Sequence, residues 1–171
     1  QPNRNYWSWN VHKGQNSMNS GSQTILVTTN VGACNVRFWS DNSGGHVLRW
    51  AQSGGSELIL DQENTAGDLI VENQLSQKYA LQSNRLTKRG AGRVIFNTTI
   101  PISGPIQVLE GELRMNGAVS ASTSAFTIGN GATLSGGGSI AGVTTNSGTI
   151  WPGTNGFGVF TLSSSLTLNG G

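Results

Sequence analysis

"GDLIVEN" at 67–73 returns as "GRVIFN" at 92–97, an offset of 25 residues. Each copy opens on glycine and one charged residue, runs through three aliphatic or aromatic residues, and leaves on a polar side chain. A related string, "ELILDQ" (57–62), stands 11 residues ahead of "DLIVEN", and "ELRMNG" (112–117) recurs as "SLTLNG" (165–170). Short strand-like runs bounded by glycine and asparagine, repeated at intervals of roughly 20–50 residues, predict a solenoid rather than a sandwich.

The remaining pattern agrees. Apolar residues alternate in short runs, as half-buried strands require: Ile106/Val108, Leu113/Met115, Phe126/Ile128, Phe160/Leu162 and Leu166/Leu168. Within "IQVLEGELRM" (106–115) the parity flips between Val108 and Leu109, which predicts a corner or bulge. Only "ENQLSQKYALQSN" (72–84) could be helical; it lacks a sustained apolar stripe, and a single turn is the most it predicts. Coils of about 20–25 residues stacked at roughly 4.8 Å give about seven coils and a rod on the order of 35 Å. The fold expected is all-β, a parallel β-helix, with residues 1–50 as a tryptophan-rich cap with the first coils and 51–171 as the helix proper.

Charge divides the chain further. Only 11% of the 171 residues are charged, and the net charge of +2 is too small and dispersed for a nucleic-acid interface. Residues 1–50 hold four of the five tryptophans (Trp7, Trp9, Trp39, Trp50) and both histidines. Five of the eight carboxylates (Glu57, Asp61, Glu63, Asp68, Glu72) lie in 51–93, followed by Lys78, Arg85, Lys88, Arg89 and Arg93. After Arg114 the remaining 57 residues contain no Asp, Glu, Lys, Arg or His, which excludes ordinary acid–base chemistry there. If 25 residues make one coil, Asp68 lies beneath Arg93 on the outer face, a ladder pair contributing about 0.2–1 kcal/mol. The acidic-then-basic order is then local pairing.

Residues 86–171 resemble the autotransporter-associated β-strand repeat. The resemblance rests on "LTKRGAG" (86–92), "IQVLEGEL" (106–113), "GTIWPG" (148–153) and "LTL" (166–168), in the order that family shows them. It implies a right-handed parallel β-helix exported to the bacterial cell surface. Many members of that family are long passengers tethered by a separate membrane β-barrel; this sequence is shorter and carries no such barrel.

Parallel β-helices also include polysaccharide lyases and hydrolases. Glycoside hydrolysis needs two carboxylates about 5–10 Å apart, and a lyase a carboxylate-bound metal with a basic residue. Only Glu57, Asp61, Glu63, Asp68 and Glu72 with Lys88, Arg89 or Arg93 could supply these, and a weak calcium site at Asp61 and Glu63 is conceivable. "DQENTAGD" (61–68) reads more simply as a polar turn, and His12 and His46 lack a partner motif. "GNGATLSGGG" (129–138) has no lysine or helix after it, so it is not a phosphate loop. Cys34, the single cysteine, allows no internal disulfide and reads as a small buried hydrophobe. No catalytic residue, metal or cofactor is expected.

No apolar run approaches the 18 residues of a membrane span, and Gln1-Pro2 reads as the start of a processed or trimmed chain. "GTIWPGTNGFGVFTLSSSLTLNGG" (148–171) carries no charge or helix to blunt a sheet edge, which templates further pairing. Three coverings are conceivable: more of the same chain in a longer helix, an upstream segment folded over, or another subunit. The last is favoured: copies joined head to tail, with Trp7, Trp9, Phe160, Leu162, Leu166 and Leu168 at the contact, making a secreted or surface filament. In "NYWSWN" (5–10), Trp7 and Trp9 are expected to plug the first coil rather than stack on sugars. An adhesin or stalk binding cell-surface or matrix glycans is the alternative, and a polysaccharide-active enzyme the third.

Overall fold

The computed structural model describes residues 6–11, 23–41, 57–74, 85–99, 102, 104–120, 123–154 and 157–169. The strands follow the chain coil by coil. They are β1 (Tyr6–Val11) and β2 (Gln23–Val27), β3 (Asn35–Asp41) and β4 (Glu57–Gln62), then β5 (Leu69–Gln74) and β6 (Arg85–Arg89). Next come β7 (Arg93–Phe96) and β8 (Ile106–Val108), then β9 (Glu112–Met115), β10 (Ala118–Val119) and β11 (Ala125–Ile128). The last two coils hold β12 (Thr133–Gly136), β13 (Ser139–Ile140) and β14 (Val143–Asn146), then β15 (Thr149–Pro152), β16 (Thr161–Leu162) and β17 (Leu166–Leu168).

Among the described residues the chain is all-β, apart from one 3-10 turn at Thr29–Val31. Three all-parallel sheets stack in sequence order, the arrangement of a parallel β-solenoid. Sheet one runs β1-β3-β5-β7-β9-β12-β15, sheet two β2-β4-β6-β8-β11-β14-β17, and a narrow sheet three β10-β13-β16. Each large sheet therefore has seven strands.

Stacking turns the alternation of each strand into columns. In sheet one, Leu69, Val94, Leu113 and Leu134 follow one another in register, all buried, with half-buried Ile150 next. In sheet two, Leu58, Leu86, Ile106 and Phe126 form a second buried column. Val119 and Ile140 do the same in sheet three. Their neighbours at alternate positions face outward, so the core is an apolar shaft, interrupted in sheet two by buried Lys88, Thr144 and Asn146.

The 25-residue offset between 67–73 and 92–97 is the register of β5 on β7, in which Leu69 pairs with Val94. Coil length is less uniform than expected. The column Ile25–Leu60–Lys88–Val108–Ile128–Asn146–Leu168 advances by 35, then 28, then 18–22 residues. The likeness of "ELRMNG" to "SLTLNG" does not mark stacked strands: β9 belongs to sheet one and β17 to sheet two. One strand pattern serves both sheets, because each asks only for alternate burial.

The parity flip after Val108 is a corner. Leu109 is exposed, and Gly111 adopts φ 63°, where a Cβ would crowd the carbonyls of Gly90 and Gly92 on the coil below. Corners therefore stack as closely as strands. Residues 72–74 of the stretch read as a single helical turn at most belong to β5; 75–84 lie outside the described residues, as do His12 and His46.

Candidate functional site

The charged side chains of coils two to five gather on one corner and one outer face. At the corner an open groove of about 420 Å³ is lined by Asp61, Glu63, Arg89, Gly90, Ala91 and Glu110. Arg89 Nε donates to Asp61 Oδ2 at 2.7 Å, and the Gly90 amide donates to Glu110 Oε2 at 3.2 Å. Asp61 is thus turned toward a guanidinium. No group of three or more His, Cys, Asp or Glu side chains able to hold a metal ion occurs among the described residues.

Lys88 lies under that corner, fully buried. It occupies the core column between Leu60 and Val108, in phase with Leu86 on its own strand. Its Nζ donates to the carbonyls of Arg89 (2.9 Å), Gly90 (2.6 Å) and Glu110 (2.9 Å), so all three ammonium protons are engaged. Burial pulls its pKa down to about 8, against the opposing pull of Glu110, Asp61 and Glu112. This amine ties two stacked corners together rather than facing the groove. In "LTKRG" (86–90) the signal was present, since strict alternation puts Lys88 on the same side as Leu86.

On the outer face of sheet one the pairing is continuous. Arg93 donates to Asp68 through Nε at 2.8 Å and Nη2 at 2.9 Å, one coil apart, and this hydrogen-bonded pair raises the arginine's pKa. Arg93 Nη1 also stands 3.7 Å from Glu112 Oε2. Glu112 Oε1 accepts from Arg114 Nη2 at 2.9 Å and from the buried Ser135 hydroxyl at 2.5 Å. The ladder therefore climbs from β5 to β12. Glu57 is held by the Thr87 hydroxyl. The sequence reading named Asp68 and Arg93 but missed the Glu112–Arg114–Ser135 extension, whose partners come from strands too unlike to align by eye.

The turn after β4 is polar, as expected, with Glu63, Thr65 and Ala66 exposed and Asn64 and Gly67 buried. Gln62 Nε2 donates to Gly67 O at 2.8 Å, and Asn64 Nδ2 reaches Gly32 O on the preceding coil at 2.8 Å. Nearby, Cys34 is free and only half-buried.

The other candidate residues lie at the two ends of the shaft. Leu166 stacks on buried Thr144 and Leu168 on buried Asn146, at register positions that face the core in the coils below. Yet Leu166 is 42% exposed and Leu168 65% exposed. Phe160 and Leu162 are half-buried against the core beside them. Among the described residues, no strand stacks on β17. At the other end Trp7 and Trp9 on β1 pair in register with Val36 and Phe38, the columns that later carry Leu69 and Val71. Their side chains lie outside what the structure describes, so the plug reading is not addressed. The structure places Phe160, Leu162, Leu166 and Leu168 on the last coil and sets Trp7 and Trp9 on the opposite end of sheet one.

No protein-family model, curated protein or solved structure matches this chain. No helix among the described residues is long and apolar enough to cross a membrane.

Proposed function

We propose that this chain is a non-enzymatic extracellular structural protein, a right-handed parallel β-helical subunit that joins copies of itself head to tail into a surface or matrix filament. The observation that carries the reading is that, among the described residues, no strand stacks on β17. Leu166 and Leu168 hold core register positions and remain exposed, beside strand edges whose N–H and C=O groups template another parallel strand. The two ends are complementary. Ile25 begins the column that Leu168 finishes, and β1 and β2 begin the two sheets that β15 and β17 finish. A second copy placed so that β1 follows β15 and β2 follows β17 continues both seven-stranded ladders. Such a heterologous contact does not close on itself and propagates as a fibre.

The charged residues support a structural role. Asp61, Asp68 and Glu112 are each held by an arginine, which leaves them poorly placed as general acids or nucleophiles. The resemblance of residues 86–171 implies export to a bacterial surface and right-handed winding, and the N-terminal cap rests on the tryptophan-rich residues 1–50. A glycan-binding stalk is the second reading, favoured by Trp151, 57% exposed on the outer face of sheet one beside Ser135.

The test is electron microscopy of the untagged chain at neutral pH and micromolar concentration. Filaments with an axial repeat of roughly 34 Å, seven coils at the interstrand spacing, are expected. Leu166→Lys and Leu168→Lys should each stop growth while leaving a folded monomer. Unchanged filaments from both variants would sink the reading, and glycan binding lost on Trp151→Ala would favour the stalk.

A further inference from the structure

Asparagine is followed by glycine at 116–117, 130–131, 155–156 and 169–170. In such a pair the glycine amide nitrogen can reach the asparagine side-chain carbonyl, because no Cβ on the second residue hinders the approach. Residues 155–156 and Gly170 lie outside the described residues. The structure holds the other two pairs differently.

Asn116-Gly117 is tied down, although Asn116 is exposed. The Gly117 amide donates to the Phe96 carbonyl at 3.2 Å, and so does the Asn116 amide at 2.9 Å. The Asn116 side chain donates through Nδ2 to Asn97 Oδ1 at 2.8 Å, and a Cβ on Gly117 would crowd the Thr98 carbonyl. The nitrogen that would attack and the amide that would receive it are both held by the coil below.

Asn130-Gly131 forms the corner between β11 and β12. Ile128 is in register with Val108 and Thr133 with Glu112, so residues 129–132 turn over residues 109–111, which are one fewer. The extra residue is taken up in a turn that the Ala132 amide closes on the Gly129 carbonyl at 3.1 Å, with Gly131 at φ 80°. The tip stands clear of the stack. A Cβ on Gly131 would meet nothing within 4 Å, whereas one on Gly111 would crowd the carbonyls of Gly90 and Gly92. Both tip residues are exposed, and among the described residues neither the Gly131 amide nor the Asn130 side chain has a hydrogen-bond partner.

We infer that Asn130 is a modification site at which the folded chain converts asparagine to aspartate and isoaspartate without an enzyme. The Gly131 amide gives its proton to solvent base and its nitrogen bonds to Asn130 Cγ. The Cγ–Nδ2 bond then breaks, and ammonia leaves. Water opens the resulting succinimide at one of its two carbonyls, giving aspartate or isoaspartate, and nothing is oxidised or reduced. Isoaspartate lengthens the backbone by one methylene, which a projecting tip absorbs and a stacked corner would not. The product is the first charge beyond Arg114. Asn130 and Glu110 each stand two residues past the Ile128–Val108 pair, so the new carboxylate lies one coil above Glu110. None of this depends on the end-to-end reading above.

The experiment incubates the purified chain at mildly alkaline pH, below its melting temperature, and follows each site by peptide mapping with mass spectrometry. In the folded chain Asn130 should convert at least about tenfold faster than Asn116, since only its amide is free to reach the attack geometry. In urea-unfolded chain both pairs are free, and the two rates should fall within about twofold of each other. Asn130→Asp, which carries the product's charge, should melt with the wild type. Equal rates in the folded chain, or a faster Asn116, overturn the inference. A preference for Asn130 that persists unchanged in urea also overturns it, because the cause would then be local sequence. A melting temperature well below that of the wild type for Asn130→Asp would overturn the claim that the tip absorbs the change.

Discussion

In β4 to β9, Asp61, Asp68 and Glu112 meet Arg89, Arg93 and Arg114, while from β10 to β17 no charged side chain remains. Both regions sit on the same ladders and feed the same apolar columns. They differ in what faces outward, and in one buried cation. The backbone scaffold tolerates either chemistry, because inward and outward positions alternate and only the inward set must be apolar. The charged coils tie themselves together and present a solvated surface. The uncharged coils leave Val143, Trp151, Phe157, Val159, Leu166 and Leu168 exposed, a concentration of apolar surface typical of interaction sites.

The sharpest way to break this comparison is to cut the shaft in each region. Phe96→Ala removes a fully buried ring and should lower stability by about 3–5 kcal/mol. Leu168→Ala, at an equivalent inward position on the open end, should change monomer stability by less than about 0.5 kcal/mol. Urea midpoints for the two variants would settle it; similar losses would mean that β17 is covered in the free chain.

Lys88→Met comes next in size. It leaves the Arg89, Gly90 and Glu110 carbonyls without their donor and should cost about 2–4 kcal/mol. The same residue predicts a pH signature. The folded chain releases this proton near pH 8 and the unfolded chain near 10.5, so between those values the unfolded state binds more protons. Stability should therefore rise with pH across that window, with no such contribution below it. Thermal melts from pH 7 to 10 should show the rise in the wild type and not in Lys88→Met.

The smallest expected effect is on the outer ladder. Asp68→Asn breaks a two-bond but partly exposed pair and should cost about 0.5–1 kcal/mol at low salt. The deficit should shrink in about 1 M salt, where the Debye length falls to about 3 Å. A loss that is insensitive to salt would mean that Asp68 acts through packing.

Much of this was legible in residues read singly or at one offset. The match of 67–73 with 92–97 carries the register of β5 on β7, and the parity flip after Val108 carries the corner at Gly111. Less legible were features made by three strands at once. Lys88 reads as one more basic residue in a basic cluster until the column of Leu60 and Val108 encloses it. Glu112 gains its importance from Arg93 below, Arg114 beside it and Ser135 above. Uneven coil lengths hide such meetings, since steps of 18 to 35 residues leave no fixed offset to read.

By itself the sequence determined the solenoid: alternation sets which residues face in, and glycine-bounded repeats set that strands stack in chain order. It also determined that all charge stops at Arg114. The tertiary structure alone decided which side chains share a column. That assignment set Lys88 among the carbonyls of two corners, extended the ion ladder to Ser135, and left Leu166 and Leu168 at core positions with no described residue stacked above them. The physical reason is that alternation is local, fixed by the backbone of one strand. A column is a sum over coils of different length, and each added residue in a loop shifts which partner lies overhead.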